Sequence, residues 1–542
     1  MRDYHLPGRS PVYATHGMAA TSMPAATLTA LDVLRAGGNA LDAAVAACAV
    51  LCVIEPQSTG IGGDCFCLYA PAATGSMGGN GPGTGPVIAL NGSGRAPAAA
   101  TIDWYESRGM AAIENTSAHA VTVPGAVDAW ETLLKAHGRK GLDELLVPAI
   151  RYAEEGWPVH PKVAWDWKRL EAKLRKNGAL HFLPGGMAPQ PGDNFEQPAL
   201  AETLRAIARH GAKAFYQGPI AADIVATLRA RGGLQTEADF AAGLGNAELV
   251  TPIQLNWRGY DVLQCPPNGQ GIVALMILGM LGGLPTAPDG PLGTIRAHRH
   301  VEAARLAYRD RDAFVADPGQ VDVPVKKLLS PEYLTALRGL IDDTRAMRQL
   351  PLAGEALLPP HRDTVYLCVV DKDGNACSFI NSLFEGFGSA ILAERSGVML
   401  QNRGFGFRLE RGHPNCIAPR KRPMHTIIPG MLMKDGQAQM PFGVMGGNYQ
   451  PMGHSWFLTN LLEYGLDIQQ AIDLPRLLPL HGKLQVERGI PQEVVDRLAR
   501  LGHDPELVER PHGGGQAIWI DRDRGCLIAG SEPRKDGLAL GY

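Results

Sequence analysis

Asp363-Thr364-Val365-Tyr366-Leu367-Cys368-Val369-Val370-Asp371-Lys372-Asp373-Gly374 is the stretch that decides the fold. Val365, Leu367 and Val369 alternate with Tyr366, Cys368 and Val370. Both sets are largely apolar, which predicts a strand buried on both faces, closed by an Asp-Lys-Asp-Gly turn. A second strand is predicted at once, over 375–383, so the pair forms a hairpin. Thr364 stands where this hairpin emerges from a polar, proline-containing loop at 357–362. A cut before Thr364 would leave a hydroxyl and a free amine on one residue, a combination that can act as its own nucleophile and base. On the hairpin alone, the strand preference of threonine is the plainer account of the residue.

Working outward, the chain of 542 residues is long enough for two to four domains by length alone. Lysine plus arginine number 51 against 54 aspartate plus glutamate, with no basic tract. Nucleic acid and anionic membrane are therefore not expected partners. Residues 1–18 carry no apolar core behind their charges, and no stretch reaches the roughly eighteen uninterrupted apolar residues of a membrane helix, so a cytoplasmic protein is expected. The nine cysteines are scattered and several sit in apolar runs, which fits reduced structural thiols. Cys65-Phe66-Cys67 has no second pair or nearby histidine, so no metal is expected.

Residues 25–36 carry Leu28, Leu31 and Leu34 at helical spacing, Gly37-Gly38 stops that helix, and 42–53 reads as a second, almost wholly apolar one. Gly60-Ile61-Gly62-Gly63-Asp64 reads as a tight turn before a strand at 65–69, since it lacks nucleotide-loop spacing. A flexible loop at 70–86 precedes a strand at 87–90. Helices are expected within 123–157 and at 164–176, 200–210, 220–230, 271–281 and 298–314, with strand character at 252–263 and a loop at 350–360. Strands follow at 389–392, 398–402, 426–433 and 441–445, then a helix at 454–464. Helices thus dominate the first 350 residues and strands the segment from 364 to 445, an α+β layout of helix-covered sheets.

Five further positions carry possible chemistry. Ser382 ends the partner strand, where hairpin geometry returns its hydroxyl to Thr364. Gly446-Gly447 follows a strand, and two amides unshielded by side chains can donate to a developing oxyanion. Arg403 lies in a glycine- and aromatic-rich loop, and Arg95 at the end of a strand; either can face a carboxylate. A satisfied strand serine, a turn glycine pair and two surface arginines are the plain alternatives.

The chain carries, in order, 34–44, Pro56-Gln57, Gly62-Gly63, Val123-Pro124-Gly125, Tyr216-Gln217-Gly218 and 266–271. Thr364 with 369–376, Phe387-Gly388, Ser396-Gly397, Lys421-Arg422-Pro423 and Gly446-Gly447 follow. On these motifs rests a resemblance, over most of the length, to the gamma-glutamyltranspeptidase family of N-terminal-nucleophile hydrolases. It implies a four-layer αββα fold and a proenzyme that cuts itself between Asp363 and Thr364. The products would be a large chain, 1–363, and a small catalytic chain, 364–542, together forming one αββα unit and an active heterodimer without a cofactor. It further implies Thr364 as nucleophile, its α-amine as base, Ser382 as a supporting hydroxyl, and Gly446 and Gly447 as oxyanion donors. The positions that hold a γ-glutamyl group in the family depart from its pattern. Phe384 replaces an asparagine, Gly406 an aspartate and Ser93 an arginine; a serine pair has become His425-Thr426, and a polar residue is now Arg403.

The expected activity is amide hydrolysis through an acyl-enzyme on a small carboxylated amide, oxamate-like or glutaryl-like. Arg403 or Arg95 would grip the carboxylate, and Phe384, His425 and Thr426 would line the pocket. A true γ-glutamyl transferase or hydrolase acting on glutathione is the second reading, and an unprocessed, non-catalytic member of the family the third.

Overall fold

The computed structural model describes residues 8–72, 85–350 and 364–542. Asp363, the loop expected at 357–362, all but the first residue of the one at 350–360, and most of the one at 70–86 lie outside the described residues. Two seven-stranded antiparallel sheets form the centre. One runs in the order Leu538–Gly541, Met18–Thr21, Val365–Val370, Ala376–Ser382, Asp64–Ala70, Ile88–Gly92 and Glu248–Val250. The other runs Val12–Ala14, Cys526–Ser531, Gly514–Asp521, Gln437–Met445, Gly430–Lys434, Tyr260–Gln264 and Ile253–Trp257.

Strand Val365–Val370 shows why the sheets stack. Its even-numbered residues Tyr366, Cys368 and Val370 join Phe66, Leu68, Ile380, Met431, Met445 and Ile518 in an apolar layer between the sheets. Its odd-numbered residues Val365, Leu367 and Val369 face the opposite way, onto the helices Pro24–Arg35, Ala40–Ile54 and Ala126–His137. The second sheet turns Val262, Leu432, Phe442 and Ala517 outward to Gly271–Gly282 and Gln450–Leu462. Period-two strands with two apolar faces require cover on both sides, and the result is the four-layer α+β stack, αββα.

The sequence-expected helices at 25–36 and 42–53 appear as Pro24–Arg35 and Ala40–Ile54, the second capped by Asn39 and Asp42. The strand expected at 426–433 begins only at Gly430. The residue just before that span pairs outside the sheet: His425 N–H donates to Asn268 O at 2.8 Å and Gln270 N–H to His425 O at 2.8 Å. Among the described residues, no helix is long and apolar enough to cross a membrane. The nine cysteines are all free thiols, Cys67 and Cys377 approaching to 3.6 Å between sulfurs.

Candidate active site

Antiparallel register places Val365 opposite Asn381, so Thr364, one residue before the strand, falls opposite Ser382. Thr364 Oγ1 lies 3.1 Å from Ser382 Oγ, and both residues are buried. By the alternation of the strand, both share the face of Tyr366 that looks between the sheets. Ser382 Oγ also accepts the Phe384 N–H at 2.8 Å. Phe384 has φ of 84°, a left-handed conformation that is costly for a bulky residue and signals a site held by its surroundings. Its ring lies 3.8 Å from the Arg403 guanidinium carbon.

Arg403 is wholly buried, and its Nη1 donates to Thr426 Oγ1 at 2.7 Å. Its Nε and Nη2 find no hydrogen-bond partner among the described residues. Burial pushes its pKa down to about 9, against the opposing pull of Asp64 and Glu385. An unpaired cation held out of water attracts any anion that can reach it.

Asp64 is the charged residue that sequence reasoning passed over, having read it as the end of a glycine turn. It opens strand Asp64–Ala70, directly opposite Ser382. Its Oδ1 accepts the Gly94 and Gly125 N–H groups at 3.0 Å each and Gln401 Nε2 at 2.9 Å. Its Oδ2 accepts from His425 Nε2 at 3.0 Å. Since His425 Nδ1 accepts the Ile427 N–H at 3.3 Å, the Nε2–H tautomer is set. The only signal for Asp64 was its place directly after Gly60-Ile61-Gly62-Gly63, where the backbone packs too tightly for side chains: a Cβ on Gly63 would meet Ser382 O at 2.2 Å.

Burial first, then the charge of Arg403, push His425 down to about 4, while Asp64 pulls the other way. The folded protein therefore holds His425 neutral where the unfolded chain, with a histidine near 6.5, already binds a proton. Stability is present above about pH 6.5 and is lost as pH falls toward 4, by about 3 kcal/mol from this group. Urea titrations from pH 7 to 4 are expected to show a slope of unfolding free energy against pH that is shallower by about one proton in His425→Gln than in wild type. Equal slopes would mean that His425 is protonated in the fold.

Gly446 and Gly447 follow strand Gln437–Met445 with φ of 124° and 56°, consecutive left-handed residues that suit glycine. At Gly446 an added Cβ would meet Gly513 Cα at 2.8 Å. In the strand leading there, Gly443 lies under the Tyr366 ring, to which a Cβ would approach within 2.4 Å. This contact ties the glycine turn's strand to the strand that Thr364 precedes.

The remaining expected positions separate. Ser93 borders the cluster, its Oγ accepting from Asn268 Nδ2 at 3.0 Å. Gly406 closes the short turn Arg403–Gly406, where a Cβ would meet only Met424 O at 3.6 Å. Arg95 turns away. It is bound to Asn246 Oδ1 at 2.5 Å, Glu248 at 3.2 Å, Asp317 at 3.5 Å and Arg420 O at 3.1 Å. Arg95 thus lines a separate cleft of about 400 Å³ together with Val123, Asp239 and Gln320. Among the described residues, no group of three or more His, Cys, Asp or Glu could hold a metal ion.

The gamma-glutamyltranspeptidase family profile matches residues 26–542. The chain belongs to that family. It is 37% identical to the glutathione hydrolase-like YwrD proenzyme of Bacillus subtilis, over 94% of this chain and 95% of that one. It is 36% identical to the oxamate amidohydrolase proenzyme of Klebsiella pneumoniae, over 98% and 99%. The structure of cephalosporin acylase from Bacillus halodurans superposes with a TM-score of 0.91 at 39% identity, covering 100% of this chain and 99% of that one. The protein is thus a gamma-glutamyltranspeptidase-family enzyme with the N-terminal-nucleophile hydrolase fold, an amide hydrolase or acyltransferase.

Proposed function

We propose that this family member is a self-processing amidohydrolase that cleaves a small amide bearing a carboxylate, and that Arg403 is its anchor. The observation that carries the reading is the buried Arg403 guanidinium, with two nitrogens unpartnered, joined through Phe384 to the close Thr364–Ser382 hydroxyl pair. A planar fork with free donors matches a carboxylate. The same cation repels the ammonium of a γ-glutamyl group, and Gly406 offers no carboxylate to hold that ammonium. The relative named oxamate amidohydrolase supports an acidic amide, while the one named glutathione hydrolase-like supports the γ-glutamyl alternative. Arg95, engaged by two carboxylates, serves this reading less well than Arg403.

In this mechanism cleavage before Thr364 divides the precursor into chains 1–363 and 364–542. The freed α-amine of Thr364 takes the proton from Oγ1, which attacks the amide carbon. The tetrahedral oxyanion is met by the Gly446 and Gly447 N–H groups, and Ser382 shares a hydrogen bond with Oγ1. The ammonium then protonates the departing amine, and water, or an acceptor amine, releases the acyl group from the threonine ester. Phe384, His425 and Thr426 wall the acyl pocket, and the neutral His425 leaves Arg403 as its cation.

Gly447→Val is expected to lower kcat by a factor on the order of 10² to 10³, comparable to loss of one oxyanion donor. A β-branched residue at φ of 56° also strains the turn, so unfolding midpoints should be measured alongside. Undiminished turnover in the folded variant would place the oxyanion donors elsewhere. The test of the reading as a whole is intact mass of the purified protein followed by kcat/KM on oxamate, glutaryl amides and a γ-glutamyl anilide.

A further inference from the structure

The glycine turn and the arginine anchor lie on different stretches of chain, and one buried side-chain amide joins them. Gln270 Nε2 donates to Gly447 O at 2.9 Å and to Thr426 O at 2.8 Å. Thr426 is the residue whose hydroxyl receives Arg403 Nη1. On its other side, Gln270 Oε1 accepts from Arg311 Nη1 at 2.8 Å, and the same nitrogen donates to Asn448 Oδ1 at 2.9 Å. Tyr308 adds a hydrogen bond from its hydroxyl to Asn448 O. Gln270 is fully buried and Arg311 nearly so. Both belong to the helical layer behind the second sheet, Gln270 capping Gly271–Gly282 and Arg311 sitting in Thr294–Phe314.

We infer that Gln270, oriented by Arg311, is a positioning residue that holds the oxyanion turn at a set distance from the carboxylate anchor. The inference rests on the proposed roles of Gly446, Gly447 and Arg403. A primary amide suits the task, since its two N–H groups can meet two carbonyls while its oxygen meets a cation. The arginine charge polarises the amide and strengthens both donated bonds. The Gly447 carbonyl belongs to the turn whose N–H groups would face the oxyanion. Fixing that carbonyl fixes the orientation of its peptide plane, and with it the turn.

The decisive comparison uses the processed wild-type enzyme and Gln270→Ala and Gln270→Glu variants whose processing has been verified by intact mass. The probes are a carboxylated amide substrate, a carboxylated boronic acid and the simple carboxylate product. The boronic acid binds Thr364 Oγ1 at boron as the α-amine takes the hydroxyl proton, and the resulting anionic tetrahedral boronate places a B–OH oxygen where the tetrahedral oxyanion forms. The carboxylate product reports the anchor alone. For Gln270→Ala, kcat is expected to fall by a factor on the order of 10², as for a lost donor, with KM changed less than about threefold. The boronic acid should weaken by a similar factor while the carboxylate's inhibition constant stays put. Gln270→Glu keeps the shape but presents acceptors to two carbonyls, and should lose comparable activity; it decides the matter if the alanine variant does not fold. Unchanged kcat in either folded variant overturns the inference, as does parallel weakening of boronic acid and carboxylate, which would mark a general loosening. A wild-type enzyme that neither processes nor hydrolyses the amide would overturn the underlying reading instead.

Discussion

Thr364→Ala protein is expected to run as one uncut chain and to lose amidase activity by a factor on the order of 10⁴ to 10⁶, the scale seen when a covalent nucleophile is removed. The expectation follows from geometry and chemistry together. Thr364 Oγ1 sits 3.1 Å from Ser382 Oγ at the start of a central strand, buried, and directly follows Asp363 in sequence. Attack of this hydroxyl on the preceding carbonyl gives an ester and frees the threonine amine; water then opens the ester, so no second protease is needed. Wild type incubated at neutral pH should yield two masses, the smaller beginning at Thr364. A wild-type chain that remains whole, or a fragment starting elsewhere, removes Thr364 from its role. Thr364→Ser is the informative companion, because it keeps the hydroxyl and should still process.

The second large effect is expected in substrate choice. A γ-glutamyl group brings an α-ammonium to a pocket that holds the Arg403 cation and has Gly406 where a partnering carboxylate would stand. Leaving one member of a desolvated charge pair uncompensated costs about 3 to 5 kcal/mol, so a γ-glutamyl anilide should be handled at least roughly a hundredfold worse than an acidic amide of similar size. The acidic amide instead satisfies the two orphaned nitrogens of Arg403. Arg403→Ala removes that partner and should cost about 2 to 5 kcal/mol, roughly thirtyfold to several thousandfold in kcat/KM, for the acidic amide alone. Efficient turnover of the γ-glutamyl anilide over the others would overturn the substrate class. Indifference of the acidic amide to Arg403→Ala would overturn only the anchor.

The hairpin from which the reading began was legible because its pattern is local. Two apolar faces on six residues require a central strand, and register then brings Ser382 to Thr364 without further information. The helices at Pro24–Arg35 and Ala40–Ile54 were legible for the same reason, through leucine spacing and a glycine stop. What was missed is non-local. Met18–Thr21 flanks the Thr364 strand in the sheet and is flanked in turn by Leu538–Gly541, yet four-residue segments carry too little periodicity to announce a partner hundreds of residues away. Asp64 and Gln270 escaped because their importance lies in which backbone groups they meet, and those belong to distant loops. Arg95 and Arg403 looked alike in sequence. Only the acidic neighbours Glu248 and Asp317 reveal that the first is already neutralised.

The order of strands in the two sheets bears on how such an enzyme ages. Strand Val365–Val370 is bonded on one side to Met18–Thr21 and on the other to Ala376–Ser382, which in turn adjoins Asp64–Ala70. Segments from before and after Thr364 are therefore interleaved in one sheet, like threads in cloth. Cutting the chain at that point separates nothing, and the fold must be complete beforehand for the scissile bond to be presented. After the cut the situation is no longer symmetric in time. Unfolding would release two polypeptides where the precursor released one, and the return journey becomes a meeting of partners whose success depends on their concentration. On the proposed cleavage, maturation would be a ratchet: each molecule would fold once as a single chain, and its working life would then be governed by the rate of escape from the woven state more than by the balance with an unfolded one.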